Sequence, residues 1–470
     1  MLKTRSKRLI LLVGDVFILY ISLGLMLFLR YNLALFADDK RTVLDAWNLH
    51  KTPFLLIYTV WIIIFYGAGM YDWERFAPRR INLIKLIFQT MTIGASVAVL
   101  LFYFLPIFKI TPKTNLIINA IIAAILLSIW RIVFLKTISR GSKIKVLFFG
   151  NTAEGSKFKD RLNNSPSLGY HVDAVIDHTN SAYMDLKKLI LEQKIDLIII
   201  VQDISQNQEL LKIFYEAIPL GITIIDFSEF YEMVMGKVPV SVINESWFLE
   251  NLFELNKRTF EVAKRLLDIL ASIILGIPLL LLFPLIACAI FISTPDDIRN
   301  YKERRARKGD GIIFFRQERV GKNGKVFNFI KFRSQRLGAE KISRTVGEKK
   351  EIEKDARRYF FGQLLRKTYL DELPQILNIL RGEMSLVGPR PERPEYVNKL
   401  KENIKFYEIR HLVRPGITGW AQINMQNDAS VDDAPEKLQY DLYYIKNRSI
   451  LTDIAIMIKT ASILISRSGR

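Results

Sequence analysis

The sequence predicts a membrane α-helical bundle of four spans, an α/β domain on a doubly wound parallel sheet, and a mainly α interfacial domain that opens with a re-entrant membrane helix. Three observations carry this prediction. Half of the 470 residues are hydrophobic and mean hydropathy is +0.17, too apolar for an all-soluble chain. Four long apolar runs crowd the first third. From Ser142 onward, short β-rich runs alternate with polar, helix-like stretches, as in a doubly wound sheet.

The bundle is assigned to residues 1–140. Its runs, 9–29, 53–70, 83–105 and 116–135, each approach the roughly 20 helical residues that cross a hydrocarbon core of about 30 Å. The first has the basic start of a signal peptide, Lys3 to Arg8, but is too long and lacks a small-x-small cleavage site, so it is expected to stay attached. Basic residues crowd the start, the loop with Arg75, Arg79, Arg80 and Lys85, and the exit at Lys136, Arg140, Lys143 and Lys145. The alternate loops are diluted by Asp38, Asp39 and Asp45. The positive-inside rule then leaves both ends of the bundle in the cytoplasm.

Residues 141–250 form the α/β domain, with strands expected at 144–149, 172–176, 195–201 and 222–225. The first leads into Gly150-Asn-Thr-Ala-Glu-Gly155, where a dinucleotide fold places its glycine-rich turn, and Asp177 sits where a ribose-binding acid would stand. Thr152 replaces the middle glycine and obstructs close approach of a pyrophosphate, so the domain reads as a degenerate, structural or regulatory version. The Tyr183 and Lys187 spacing mimics a dehydrogenase pair but falls too soon after the turn and is attributed to chance.

Residues 251–470 begin with an apolar stretch, 266–293, interrupted by Asp268, Pro278 and Pro284. Lys257, Arg258, Lys264 and Arg265 precede it, and Arg299, Lys302, Arg304 and Arg305 follow. Basic flanks on both sides favour a helix that enters one leaflet and returns at a proline, with freed carbonyls satisfied locally by groups such as Ser272. The alternative is an ordinary fifth span. Pro278 and Pro284 both qualify as the breaker, with Pro284 preferred, and Cys288 reads as a packing residue.

A net charge of +20 suits anionic lipid or phosphorylated substrates in so apolar a chain, and no nucleic-acid partner is expected. One cysteine and four scattered histidines exclude a disulfide framework, a zinc site and a Cys-His relay. The chemistry is sought instead at Asp371 and Glu372. Leu373, Ile376, Leu377 and Leu380 keep helical spacing, Pro374 fits a first turn and Gly382 a stop, so the two acids open a short helix whose positive end favours carboxylates and phosphates. Adjacent residues point apart, so one acid can attack while the other holds a metal. Taken alone, such a pair is ordinary capping. The cations around it argue for more: Arg366 before, Arg381 at the helix end, Arg390 and Arg393 held between Pro389, Pro391 and Pro394, with Lys331 and Arg333 in reserve. Guanidinium groups aimed by prolines suit bidentate grip on phosphate, though any one of them could be part of a solvated face.

These residues lie in motifs that resemble the bacterial polyprenyl-phosphate sugar-1-phosphate transferases in their long form: Lys264-Arg265-x-x-Asp268, Phe315-Arg-Gln-Glu-Arg-Val-Gly321, Lys331-Phe-Arg-Ser334, Asp371-Glu-Leu-Pro-Gln375, the run from Ser385 to Pro391, and the run from Arg414 to Gln422. The resemblance implies a multi-pass enzyme of the bacterial inner membrane with its catalytic domain on the cytosolic face. It would move a hexose 1-phosphate, glucose first and galactose next, from a UDP-sugar to undecaprenyl phosphate, releasing UMP and initiating exopolysaccharide or O-antigen synthesis. The scheme has Asp371 as nucleophile forming an aspartyl-phosphosugar, Glu372 as Mg²⁺ ligand, and Arg366, Arg390, Lys331 and Arg333 as carriers of phosphate charge; the roles within the dyad are reversible. A homodimer is compatible with a soluble domain set between two membrane parts. Two features depart from the family pattern: Gln335 stands where Met is usual, and the basic stretch 295–308 is long. The rival readings are a membrane-anchored nucleotide-sugar dehydratase or epimerase working in 142–250, and a non-enzymatic scaffold that senses nucleotide-sugar.

Overall fold

The computed structural model describes residues 2–32, 42–68, 70–71, 80–104, 113–139, 144–165, 168–176, 192–202, 204, 207–251, 258–299, 301, 311–337, 359–425 and 433–465. Asp177, Tyr183, Lys187, Lys257, Lys302, Arg304 and Arg305 lie outside them. The chain packs as two compact units, Met1–Val242 and Ile243–Arg470.

In the first unit the four apolar runs are the helices Leu2–Asn32, Val43–Gly67, Arg80–Phe104 and Lys113–Ser139, each packed on two others so that they close a ring. Three contain stretches long and apolar enough to cross a membrane, Arg8–Tyr31, Val43–Tyr66 and Thr114–Phe134; in the third helix the apolar stretch is the shorter Leu86–Val99. Polar side chains inside the ring pair with one another, as a medium without water requires. Arg131 meets Asp15 at 2.5 Å, Asn119 bridges Tyr58 and Ser22, and Asn115 donates to His50.

The same unit holds a four-stranded parallel sheet of order β2-β1-β3-β4, with β1 Ile144–Phe149, β2 Tyr170–Ile176, β3 Leu197–Ile200 and β4 Thr223–Asp226. Alternation along β1 sends Val146 and Phe148 to one core with Phe158, Phe227 and Phe230, and Leu147 and Phe149 to another with Leu210 and Phe214. Helices therefore cover both faces, as the strand pattern predicts. Gly150 adopts φ 96° to turn out of β1, and the Thr152 hydroxyl accepts from the Gly155 amide at the start of helix Ala153–Asn163. The chain thus caps this helix itself at the place where a phosphate would be bound.

The second unit is organised on helix Arg258–Ser293, which at 36 residues would be roughly 54 Å long if straight; it runs on through Pro278 and Pro284, which corrects the expectation that one of them breaks it. Its middle is apolar and exposed, with Leu280 and Leu281 each more than 70% accessible. Near its start Lys264 donates to Val387 O and pairs with Asp453, Arg265 donates to Ile379 O and Leu380 O, and Asp268 accepts from Ser385 Oγ and Leu386 N. Near its end Ile286 and Ile290 pack on Phe332, Tyr359 and Leu365. Both ends are anchored in one unit.

The expectation of short helical pieces here is incomplete. The Phe-Arg-Gln-Glu-Arg-Val and Lys-Phe-Arg motifs lie on an antiparallel hairpin, β5 Phe314–Val320 and β6 Val326–Phe332, turning through Asn323-Gly324, both at positive φ. The Ser385 and Arg414 motifs form a parallel pair, β7 Ser385–Val387 and β8 Gly416–Thr418. That pair is so close that a Cβ on Gly388 would fall 2.3 Å from Arg414 O, and one on Gly416 would fall 2.1 Å from Gly388 N, which explains glycine at both positions.

Candidate active site

Asp371 and Glu372 lie in a 3₁₀ turn, Leu370–Gln375, that runs into helix Ile376–Arg381 and ends at Gly382 with φ 81°. The expected helix start is therefore a tighter turn, in which neighbours stand about 120° apart. The expected apolar face is also corrected: Ile376 and Ile379 are buried while Leu377 and Leu380 are exposed. Tyr369, just before the turn, is held at φ 57°, an uncommon conformation for a bulky side chain and a form of strain that collects at functional sites.

β6 runs against this turn. Asn378, fully buried, ties the two together by accepting from Ile330 N at 3.2 Å and donating to Asn328 O at 2.7 Å. This sets Lys331 beside the dyad, its ammonium 5.1 Å from the centre of the Phe315 ring. Burial pulls the Lys331 ammonium down to about 8, opposed by the charge of Asp371. Burial pushes the Asp371 carboxyl up to about 6, with Lys331 pulling it down and Glu372 adding to the rise. For Glu372 burial is the largest influence and raises the carboxyl, but Arg390, whose Nη2 lies 3.0 Å from Oε1, and Lys331 together with Gln375 bring it below its usual range. The two acids are thus made unlike by their surroundings. Arg366 contributes positive charge at both Asp371 and Lys331.

Among the sequence-predicted residues, Asp371, Glu372, Lys331, Arg366 and Arg390 come together. Arg333 does not, which corrects its assignment as a phosphate carrier. Its guanidinium is buried and turned to Asp297 at 2.5 Å, Thr294 Oγ1 at 2.7 Å and Ile312 O at 2.6 Å, clamping the end of the long helix to the hairpin. Arg381 is exposed at its helix end, and Arg393 stacks over Tyr396 at 5.8 Å; the leading charges on Asp371 are instead Lys331, Glu372, Arg366 and Arg390. Ser272 is fully buried within the continuous helix.

The residues that sequence reasoning missed act from behind the site. Lys264 and Asp268 were recognised as motif letters without a role, and they pin β7 to the long helix. Arg319 likewise stands within a quoted motif with no role attached, and Asn378 and Arg410 were not singled out. A polar residue among Ile376, Leu377, Ile379 and Leu380 was the available signal for Asn378.

The second unit thus combines an exposed apolar helix with an acid pair, Asp371 buried and Glu372 half-buried, beside Lys331, Arg366 and Arg390. The bacterial sugar transferase family model matches residues 259–467, most of the C-terminal unit, and a CoA-binding domain model matches residues 66–225. A UDP-N-acetylgalactosamine-undecaprenyl-phosphate N-acetylgalactosaminephosphotransferase of Aeromonas hydrophila is 36% identical over 51% of this chain and 51% of its own. UDP-glucose:undecaprenyl-phosphate glucose-1-phosphate transferases are 38% identical in Xanthomonas campestris pv. campestris, over 43% of this chain and 38% of the relative, and 28% identical in Escherichia coli K12, over 68% and 67%. The chain spans about half the length of the first of these relatives.

Proposed function

We propose that this chain transfers a hexose 1-phosphate from a UDP-sugar to undecaprenyl phosphate by way of an aspartyl-phosphosugar. The observation that carries the reading is the asymmetry of the dyad. A carboxylate raised to about 6 is still mostly ionised at neutral pH, yet more basic than an ordinary aspartate, which suits Asp371 to attack. Glu372, kept anionic by Arg390, suits a charge-holding role. An Asp371 oxygen attacks the sugar-linked phosphorus, the bond to the bridging oxygen breaks, and UMP leaves with that electron pair. An oxygen of the lipid phosphate then attacks the same phosphorus, forming the diphosphate and releasing the carboxylate. Lys331, Arg366 and Arg390 offset the phosphate charge.

Mg²⁺ fits this donor set. Gln375 is buried, and its side-chain oxygen has no hydrogen-bond partner among the described residues. Those residues include no cluster of three His, Cys, Asp or Glu that would cage a metal, so Glu372 and Gln375 would hold the ion together with substrate phosphates, the usual habit of Mg²⁺. Bound there, the ion would neutralise phosphate charge.

Incubating the protein with Mg²⁺, undecaprenyl phosphate and a panel of UDP-glucose, UDP-galactose and UDP-N-acetylgalactosamine tests the reading. UMP release with sugar-phosphate in the lipid is expected. A chemically altered sugar would support a dehydratase or epimerase, and binding without turnover a scaffold. A chain beginning at Ile243 should retain transfer in detergent, since its first helix is seated within the same unit through Phe248 on Phe406 at 4.5 Å and Lys446 over Trp247 at 5.1 Å. Loss of activity in that folded truncation would place part of the site earlier in the chain.

The re-entrant topology is part of this reading and is supported by the anchoring of both ends of helix Arg258–Ser293 in one unit. In a Cys288→Ser background, a cysteine at Arg299 should label only from the cytosolic side of the inner membrane. Labelling from outside would make the helix an ordinary span.

A further inference from the structure

The segment carrying Arg390 has no regular structure, yet its backbone is held at every step. Pro389 O accepts from Gly416 N at 3.0 Å, Arg390 O from Arg410 Nη2 at 3.0 Å, Pro391 O from Arg319 Nη1 at 3.0 Å, and Glu392 O from Val320 N at 2.9 Å. The Glu392 carboxylate is held in turn by Lys437 at 2.5 Å. Two of these four donors are backbone amides, which any residue would supply. Arg410 is different, because it is a charged side chain only 3% exposed, and burying a charge to bind one carbonyl is expensive unless the charge is paired. It is paired: Asp441 Oδ2 lies 2.8 Å from Nη2, both side chains 2% exposed, and Nη1 donates to Tyr407 Oη at 2.6 Å. The turn that presents Arg410 starts at Phe406, held at φ 64°.

We infer that Arg410, braced by Asp441 and Tyr407, is a positioning residue that aims Arg390 at Glu372 and the substrate phosphates; this rests on the transferase reading above. Proline on both sides already restricts Arg390, and Pro391 has no N–H to orient the peptide that follows it. The carbonyl of Arg390 is therefore a handle on the direction of its side chain. Arg410 grips that handle from a socket it cannot leave without stranding Asp441. The guanidinium fork matters here, since it serves the carbonyl, the carboxylate and the hydroxyl together, which the ammonium of a lysine does not.

The experiment is a double-mutant cycle in the full-length, membrane-reconstituted protein, with UMP release read in single turnovers so that slow variants stay measurable. Arg410→Lys keeps the charge opposite Asp441 and is expected to lower the transfer step by about tenfold or more, with less than about twofold change in KM for the UDP-sugar. In an Arg390→Lys background the same substitution should change the rate by less than about twofold, because nothing remains to be aimed. Tyr407→Phe, which removes only a hydroxyl, should give a smaller loss with the same dependence on Arg390. Equal fold losses in both backgrounds for both variants, or no loss in either, would overturn the inference while leaving the transferase reading intact. A wild-type chain that releases no UMP would overturn that reading, and this inference with it.

Discussion

Asp371→Asn is expected to abolish transfer, by on the order of 10⁴-fold or more, and to abolish any trapped sugar-phosphate adduct with it. The amide keeps the shape of the side chain in its buried turn but is a poor nucleophile. Its neighbour should behave differently. Glu372→Gln removes one charged ligand and the partner of Arg390, so its residual rate should climb with Mg²⁺ concentration while an adduct can still form. Chasing a radiolabelled UDP-sugar onto protein and then onto lipid reads both outcomes. An adduct that survives Asp371→Asn and vanishes in Glu372→Gln would exchange the two roles. Kinetics that require both substrates to be bound at once would remove the covalent step.

Arg333→Ala should act on stability. Its guanidinium satisfies Asp297, Thr294 and Ile312 O in a buried pocket, and Tyr359 donates to its carbonyl. Removing it takes the counter-charge away from Asp297, which has no exposed surface, and breaking such a buried pair typically costs about 3–5 kcal/mol. The substituted protein should melt well below the parent, with its long helix detached from the hairpin. Arg366→Ala, at the rim of the dyad, should instead lower the rate with little change in melting temperature. A catalytic loss in Arg333→Ala at unchanged melting temperature would restore it to the site.

Much of the molecule is legible in one dimension. The strands 144–149, 172–176, 195–201 and 222–225 fall within a residue or two of β1 to β4, because a buried parallel strand is a continuous apolar run bounded by polar helices. Asp371 and Glu372 are equally visible, since proline and glycine bracket their turn. The hairpin of the C-terminal unit was not, because Arg316, Glu318, Asn328 and Lys331 interleave with its apolar residues and give a weak pattern for so short a sheet. The apolar face of helix Ile376–Arg381 was misjudged for a related reason. Spacing reports that Ile376, Leu377, Ile379 and Leu380 are apolar, and only the partner surface decides that Ile376 and Ile379 are buried.

The sequence by itself determined the apolar helices, the parallel sheet and the place of the acid pair in a short turn, because these follow from local properties: run length, hydropathic period, and proline or glycine beside a charged residue. What the tertiary structure decided was which charges act together. Arg333 and Lys331 stand two residues apart in one motif, yet one clamps Asp297 and the other faces Asp371. Arg390 and Arg393 share a proline-framed loop, yet only Arg390 meets Glu372 at 3.0 Å. An arginine written in a sequence states a charge but not the direction in which it points. That direction is set by long-range packing, here by Asn378, Lys264 and Arg410 bridging segments from 48 to 123 residues apart or pinning a backbone carbonyl.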